Sequence, residues 1–346
     1  MKATVLGMGA WGTTFGQVLA DAGVSVTLWG RDEATAQEIT TAHTNSRRLP
    51  GVTLPEAITA TTDVEAALSG ADLVVVAVPS QSARTILKPL AALLPEQAIV
   101  VSLMKGVELG TDQRMSEVLA EALNIDHQRV VVVSGPNLAA EIAARQPTAT
   151  VVSGTNPDAV LTVATACSNT YFRPYTNADL IGVELCGAVK NVIAVAVGMA
   201  QGRGFGHNTT ATIITRGLAE MTRLGVQLGA DVETFPGLAG MGDLMATCAS
   251  PLSRNHTLGK HIGQGKTLAE AVEATGGTAE GAKSCRSVQE LSRRVGVEMP
   301  ITDAVVAVLN NGMPVDEMTR ALLSRPQKAE GVDAQPVDHQ STGGNA

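Results

Sequence analysis

The chain has 346 residues, 45% hydrophobic and 17% charged, with a formal net charge of -8. That length exceeds what one hydrophobic core commonly serves, so two domains are expected, and the apolar content excludes a disordered chain. A negative net charge with only two Trp, two Tyr and four Phe gives neither a basic field for a phosphate backbone nor rings for stacking bases, which excludes nucleic acid as the expected partner.

The first element is the apolar run Ala3 to Leu6, followed at once by Gly7-Met8-Gly9-Ala10-Trp11-Gly12 and a helical stretch from Thr13 to Ala22. G-x-G-x-x-G alone is a weak pattern. Its position between a strand and a helix is informative, because backbone amides and the helix dipole can there hold a pyrophosphate. Gly7 makes the turn, Gly9 admits the phosphates and Gly12 lets helix meet strand. The glycines at 7, 9, 12 and 16 fit a structured loop better than a signal peptide.

The second run, Val24 to Trp29, ends in Gly30-Arg31-Asp32, where a dinucleotide site selects its ribose. An acidic residue there binds a 2′-hydroxyl and an arginine accommodates a 2′-phosphate. Arg31 comes first, so the reading is NADPH preferred with NADH admitted.

Further runs follow at Leu73 to Val78, Ile99 to Leu103, Val130 to Val133 and Ala149 to Ser153, with helical stretches such as Ser116 to Leu123 between most of them. This alternation predicts a parallel sheet covered by helices on both faces, an α/β Rossmann-type domain over residues 1–183. Ligands of such sheets bind beyond the carboxyl ends of the strands. The runs lead into Pro79-Ser80, Met104-Lys105-Gly106 and Ser134-Gly135-Pro136-Asn137-Leu138-Ala139, and Lys105 is the one charge at these three ends. It suits an anionic or carbonyl-bearing substrate, although a solvated loop lysine reads equally well there.

After about residue 183 the strand runs disappear. Val183 to Leu228, Thr267 to Thr275 and Ser284 to Gly296 read as helices, which predicts an all-α domain over 184–326. Residues 327–346 lack apolar periodicity and read as a disordered tail. Glu184, Lys190 and Asn191 interrupt the longest apolar stretch, short of the roughly 18 residues of a membrane span.

Within Leu185 to Ala200, LCGAVKNVIAVAVGMA, one lysine stands in an apolar run. Alone, it could lie along the surface with its charge in water. At about 100° per residue, however, Glu184, Gly187, Asn191 and Gly198 share one small or polar stripe beside Lys190, predicting a face open to a cleft where Gly187 leaves room for a ligand. An apolar surround would lower the lysine pKa toward the range useful for proton transfer. Asp243 follows a glycine-rich turn and also suits a helix N-cap. Ser253 suits an N-cap too, so that the amides after it, with Arg254 and Asn255, make a phosphate pocket. Four scattered cysteines without C-x-x-C spacing point to a reducing cytoplasm, and the scattered histidines to no metal.

In this order and spacing, GMGAWGT, SLMKGVE, SGPNLAAEIA, GAVKNVIAVAVG, ITRGLAEM, GMGDLMATC, SRN and TAEG resemble the bacterial NAD(P)-dependent glycerol-3-phosphate dehydrogenases over about residues 1–325. The resemblance implies a cytoplasmic homodimer that interconverts sn-glycerol 3-phosphate and dihydroxyacetone phosphate for phospholipid synthesis. It implies Lys190 as proton donor and acceptor, Lys105 as its partner on the substrate oxygens, and Asp243 as the group orienting both. It further implies a substrate lined by Gly135, Asn137, Ser253, Arg254 and Asn255, and Asn191, beside Lys190, is read as the hydrogen-bond partner of a substrate hydroxyl. Beside Gly7, Gly9 and Gly12, the implied cofactor contacts are Ala10, Trp11, Arg31, Lys105, Ala139, Arg254, Thr278 and Glu280, with Thr278 and Glu280 resting on resemblance alone. Ala10 and Asn137 depart from the family, which often has serine at the first and serine or threonine at the second.

Two other readings fit parts of the chain. A two-domain 3-hydroxy acid dehydrogenase would space its lysine a full turn from its asparagine, whereas Lys190 and Asn191 are adjacent. A non-catalytic NADPH sensor would need the Gly7 loop without Lys105, Lys190 and Arg254.

Overall fold

The computed structural model describes residues 1–276 and 279–324. Thr278 and the expected tail at 327–346 lie outside the described residues. Eight strands form one sheet: β1 Lys2–Leu6, β2 Ser25–Trp29, β3 Ile58–Thr61, β4 Leu73–Val76, β5 Ile99–Ser102, β6 Val130–Ser134, β7 Thr148–Gly154 and β8 Phe172–Asn177. Their spatial order is β3-β2-β1-β4-β5-β6-β7-β8. β1 through β6 run parallel, and the connection reverses direction between β1 and β4, which opens a crevice at their carboxyl ends.

The β4 run LVVV shows why such strands read as continuously apolar. Leu73 and Val75 join the core that holds Phe15, Leu19 and Leu28, while Val74 and Val76 join the opposite core with Leu68, Leu87 and Leu119. Both faces are covered, so no position is left for a polar residue.

Two corrections concern the sheet. The run at Ala149 to Ser153 does extend it, but β7 pairs antiparallel to β6, Ser134 opposite Val151, so the sheet is mixed. The strands β3 and β8 at the two edges carry no run that marks them. β8 reads FRPYTN with half its positions exposed, and its Pro174 is tolerated because an edge strand needs no ladder on its outer side.

The helical half is built around Leu180–Gly202, whose N-cap Asp179 accepts from the Gly182 amide at 2.9 Å. Around it pack Arg254–Gly263, His207–Gln227, Glu280–Arg294 and Asp243–Ala249. The stretch Val183 to Leu228 is thus two helices, separated at Gly204, which has φ +82°. Contrary to the sequence reading, Leu180–Gly202 is by length and composition apolar enough to cross a membrane, but 94% of that window is buried inside the protein. Its charged residues are paired internally, which is how a core helix can carry them.

Four glycines set the closest crossing. Any Cβ on Gly198 or Gly202 would run into the His256 or Lys260 carbonyl, and any on Gly259 or Gly263 into those of Val195 or Met199. The two backbones therefore touch directly, which fixes Arg254–Gly263 against the last turns of the long helix.

Candidate active site

At the centre one carboxylate binds two ammonium groups from opposite halves of the chain. Lys190 Nζ donates to Asp243 Oδ1 at 2.6 Å, and Lys105 Nζ donates to Asp243 Oδ2 at 2.6 Å. Lys105 also donates to the Gly135 carbonyl at 3.1 Å, and Lys190 to Thr247 Oγ1 at 2.6 Å. Lys190 is only 6% exposed and Asp243 1%. Burial pushes the Lys190 ammonium down; Asp243 opposes this and Lys105 reinforces it, leaving its pKa at about 8. Burial pushes the Asp243 carboxyl up, but the two ammonium groups together outweigh it and the net shift is downward.

Local structure explains the arrangement. A wide helical turn, Leu238–Gly242, leads into Asp243–Ala249, and Gly240 lies so close to the Phe235 carbonyl that no side chain fits. Asp243 is the first residue of that helix, with Gly242 as its N-cap, so its carboxylate serves the lysines and not the helix end. Thr247 follows one turn later on the same face, a neighbour that the i, i+4 spacing in DLMAT signals but that was not singled out.

The stripe on the long helix does not form one open face. Glu184 is buried, accepting from the Ser116 amide at 2.7 Å, from its hydroxyl at 2.6 Å and from Arg114 at 2.9 Å. Gly198 belongs to the helix crossing. Gly187 faces Ser134 Oγ and the aliphatic stem of Lys105; an added Cβ would lie 3.1 Å from the first and 3.3 Å from the second. The room that Gly187 provides is filled by Lys105, and the expectation that it admits a ligand is corrected accordingly. Gly187→Val should therefore displace Lys105 and lower kcat/KM, while affinity for cofactor, measured by fluorescence titration, stays within about twofold. Normal turnover in that variant would contradict this account of the helix face.

Asn191 and Asn255 form a chain of amides. Asn255 Nδ2 donates to Asn191 Oδ1 at 2.8 Å, Asn191 Nδ2 to the Gly187 carbonyl at 3.1 Å, and the Gly281 amide to Asn255 Oδ1 at 2.8 Å. Three helices meet in this chain. Ser253 caps Arg254–Gly263 by accepting from the His256 amide at 3.2 Å, and Arg254 is exposed with no ion pair to another described residue. Gly135 has φ +138°, and Asn137 donates to Thr150 Oγ1 at 2.9 Å while its Oδ1 is buried without a partner.

The glycine loop fits a dinucleotide. Gly7, at φ +127°, has the Ala77 carbonyl where a Cβ would stand, at 2.6 Å, and Gly12 is pressed against the Gly7 carbonyl. Gly9 alone faces open space, the cradle a pyrophosphate needs. Ala10 and Trp11 open the helix Ala10–Asp21, and Ala139 lies beside it, its carbonyl accepting from Thr14 Oγ1 at 3.3 Å. Arg31 is exposed at the end of β2. Glu280 accepts from Ser80 Oγ at 2.7 Å, joining the helical half to the end of β4. Ser80 belongs to the strand-end pair Pro79-Ser80, and nothing in that pair signals Glu280 as its partner.

Family models described as NAD-dependent glycerol-3-phosphate dehydrogenase N-terminus and C-terminus match residues 2–160 and 179–320. The chain belongs to that family. A glycerol-3-phosphate dehydrogenase [NAD(P)+] of Streptomyces griseus is 54% identical over 95% of this chain and 98% of its own length. One from Thermobifida fusca is 55% identical over the same shares. The crystal structure of the glycerol-3-phosphate dehydrogenase of Coxiella burnetii superimposes with a TM-score of 0.89 at 36% identity, covering 94% of this chain and 99% of that one. A family that uses a nicotinamide cofactor accords with the open cradle at Gly9.

Proposed function

We propose that the protein catalyses the NAD(P)-dependent interconversion of sn-glycerol 3-phosphate and dihydroxyacetone phosphate at C2. The observation that carries this reading is the Lys190–Asp243–Lys105 cluster, supported by the family membership and the relatives' names. Residues 1–183 serve as the cofactor domain and 184–326 as the substrate domain. When bound, the nicotinamide supplies or takes up the hydride. Gly7, Gly9 and Gly12, with Ala10, Trp11, Arg31, Ala139 and Glu280, would hold the dinucleotide.

Lys190 gives its proton to the oxygen at C2 as the ketone is reduced and takes it back in the oxidation. Lys105 stabilises the negative charge that develops on that oxygen. Asp243 holds both ammonium groups in place, and its charge keeps Lys190 protonated to a higher pH than burial alone would allow. Arg254 and the amides that follow the Ser253 cap would take the phosphate, and Gly135, Asn137, Asn191 and Asn255 would line the carbon chain.

Purified protein should oxidise NADPH only after dihydroxyacetone phosphate is added; no turnover with that substrate would overturn the reading. The pH dependence has a sign set by Lys190. Reduction needs the ammonium, so kcat/KM for dihydroxyacetone phosphate should fall as pH rises through about 8, approaching tenfold per pH unit. Oxidation needs the free amine and should rise over the same range. Profiles with no inflection between about pH 7 and 9 would contradict Lys190 as the proton carrier.

The same reading makes the enzyme a cytoplasmic homodimer that feeds glycerophospholipid synthesis. Four free, buried cysteines suit a reducing compartment. The apolar residues Val226, Val232, Met245 and Leu252, each about half exposed, offer the helical half material for an interface.

A further inference from the structure

The turn following the helix Glu33–Ala42 is pinned to two elements of the dinucleotide site at once. Asn45 is fully buried, and its Nδ2 donates to the carbonyl of Met8, inside the glycine loop, at 3.1 Å and to Thr13 Oγ1 at 2.9 Å. Glu38 Oε1 accepts from the Ser46 amide at 2.7 Å and from Thr44 Oγ1 at 2.8 Å, tying the turn to the helix that follows β2. The Asn45 carbonyl then accepts from the amides of Arg48 at 3.0 Å and Leu49 at 2.7 Å, closing the turn. Arg47 is displayed from this frame with its Nη1 3.9 Å from Asp32 Oδ2.

Asp32 is the acidic residue that would accept a ribose 2′-hydroxyl. Its Oδ1 already accepts from the Thr35 amide at 3.0 Å as the helix cap, and its Oδ2 faces the Arg47 guanidinium. The neighbouring Arg31 makes no ion pair to another described residue. A phosphate at the 2′ position brings close to two negative charges beside Asp32, a repulsion that a second cation next to Arg31 offsets.

We infer that Arg47, carried on the Asn45-anchored turn, is a cofactor-specificity residue that with Arg31 takes the 2′-phosphate of NADPH. This rests on the cofactor reading above, and Asn45 acts as the positioning residue that couples the turn to the pyrophosphate loop. Both arginines are surface side chains, so the interaction weakens with added salt.

The test compares calorimetric binding of adenosine 2′,5′-bisphosphate with that of adenosine 5′-monophosphate, two probes differing only in the 2′-phosphate. The wild type is expected to prefer the bisphosphate. Arg47→Ala should weaken the bisphosphate by roughly tenfold, as expected for losing one charge-assisted hydrogen bond, and change the monophosphate by less than about twofold. Arg48→Ala should leave the ratio at its wild-type value. An unchanged ratio in Arg47→Ala, together with a lowered one in Arg31→Ala, would discard the role of Arg47 and leave the NADPH preference standing. Equal affinity of the wild type for both probes would overturn that preference and the role of Arg47 together.

Discussion

Replacement of Asp243 by asparagine is expected to produce the largest combined loss of stability and activity. The carboxylate is the shared partner of two ammonium groups in a buried site, and removing it leaves two like charges facing each other without compensation. Breaking a buried ion pair in this way costs about 3–5 kcal/mol, or several degrees in Tm for a chain of this size. The variant can escape part of that cost only by releasing the Lys190 proton. Lys190 then has a folded pKa lower still than its wild-type value of about 8, against ~10.4 in an unfolded chain. Between these values the unfolded form binds more protons, so stability rises with pH. Melting curves of Asp243→Asn at pH 7 and pH 9 should accordingly show the higher Tm at pH 9, with activity in the reduction direction almost abolished at both. A variant as stable as the wild type at pH 7 would show that the two lysines are not both charged in the native protein.

Lys190→Ala should lower kcat for dihydroxyacetone phosphate by roughly a thousandfold, within the range that a positioned proton donor contributes. Asp243 keeps Lys105 as its counterion, so the fold should survive and circular dichroism should match the wild type. NADPH binding, followed by fluorescence, should be retained. Lys190→Arg separates charge from chemistry, because a guanidinium does not release its proton near neutral pH. It should restore some stability and little turnover. Undiminished turnover in Lys190→Ala would remove Lys190 from the mechanism.

Strand runs such as VVVV at Val130 were legible because a strand buried on both faces leaves no place for polar residues. β3 and β8 were not, because edge strands keep exposed positions that break the run. The direction of β7 was also hidden. An apolar run is the same read either way along the chain, so the antiparallel pairing of β7 with β6 leaves no mark in it. Lys105, Lys190 and Asp243 could be singled out as charges in apolar or glycine-rich contexts, but nothing in their spacing shows that one carboxylate serves both amines. The bonds of Ser80 to Glu280 and of Thr247 to Lys190 were hidden for the same reason: the role of a hydroxyl becomes informative only when its partner is known.

The sequence by itself determined the order of the two halves, the glycine loop after β1 and the chemical types available at the strand ends, because each depends on local pattern along the chain. Only the tertiary structure decided what Gly187 is for. On a helical wheel it lies in a small, polar stripe with Glu184 and Gly198, yet in the folded chain the three meet different neighbours: Glu184 an arginine, Gly198 a helix backbone and Gly187 the stem of Lys105. Periodicity fixes the direction in which a residue points. What it meets there is set by contacts between segments tens to more than a hundred residues apart, and those contacts bring Lys105 and Lys190 onto one carboxylate.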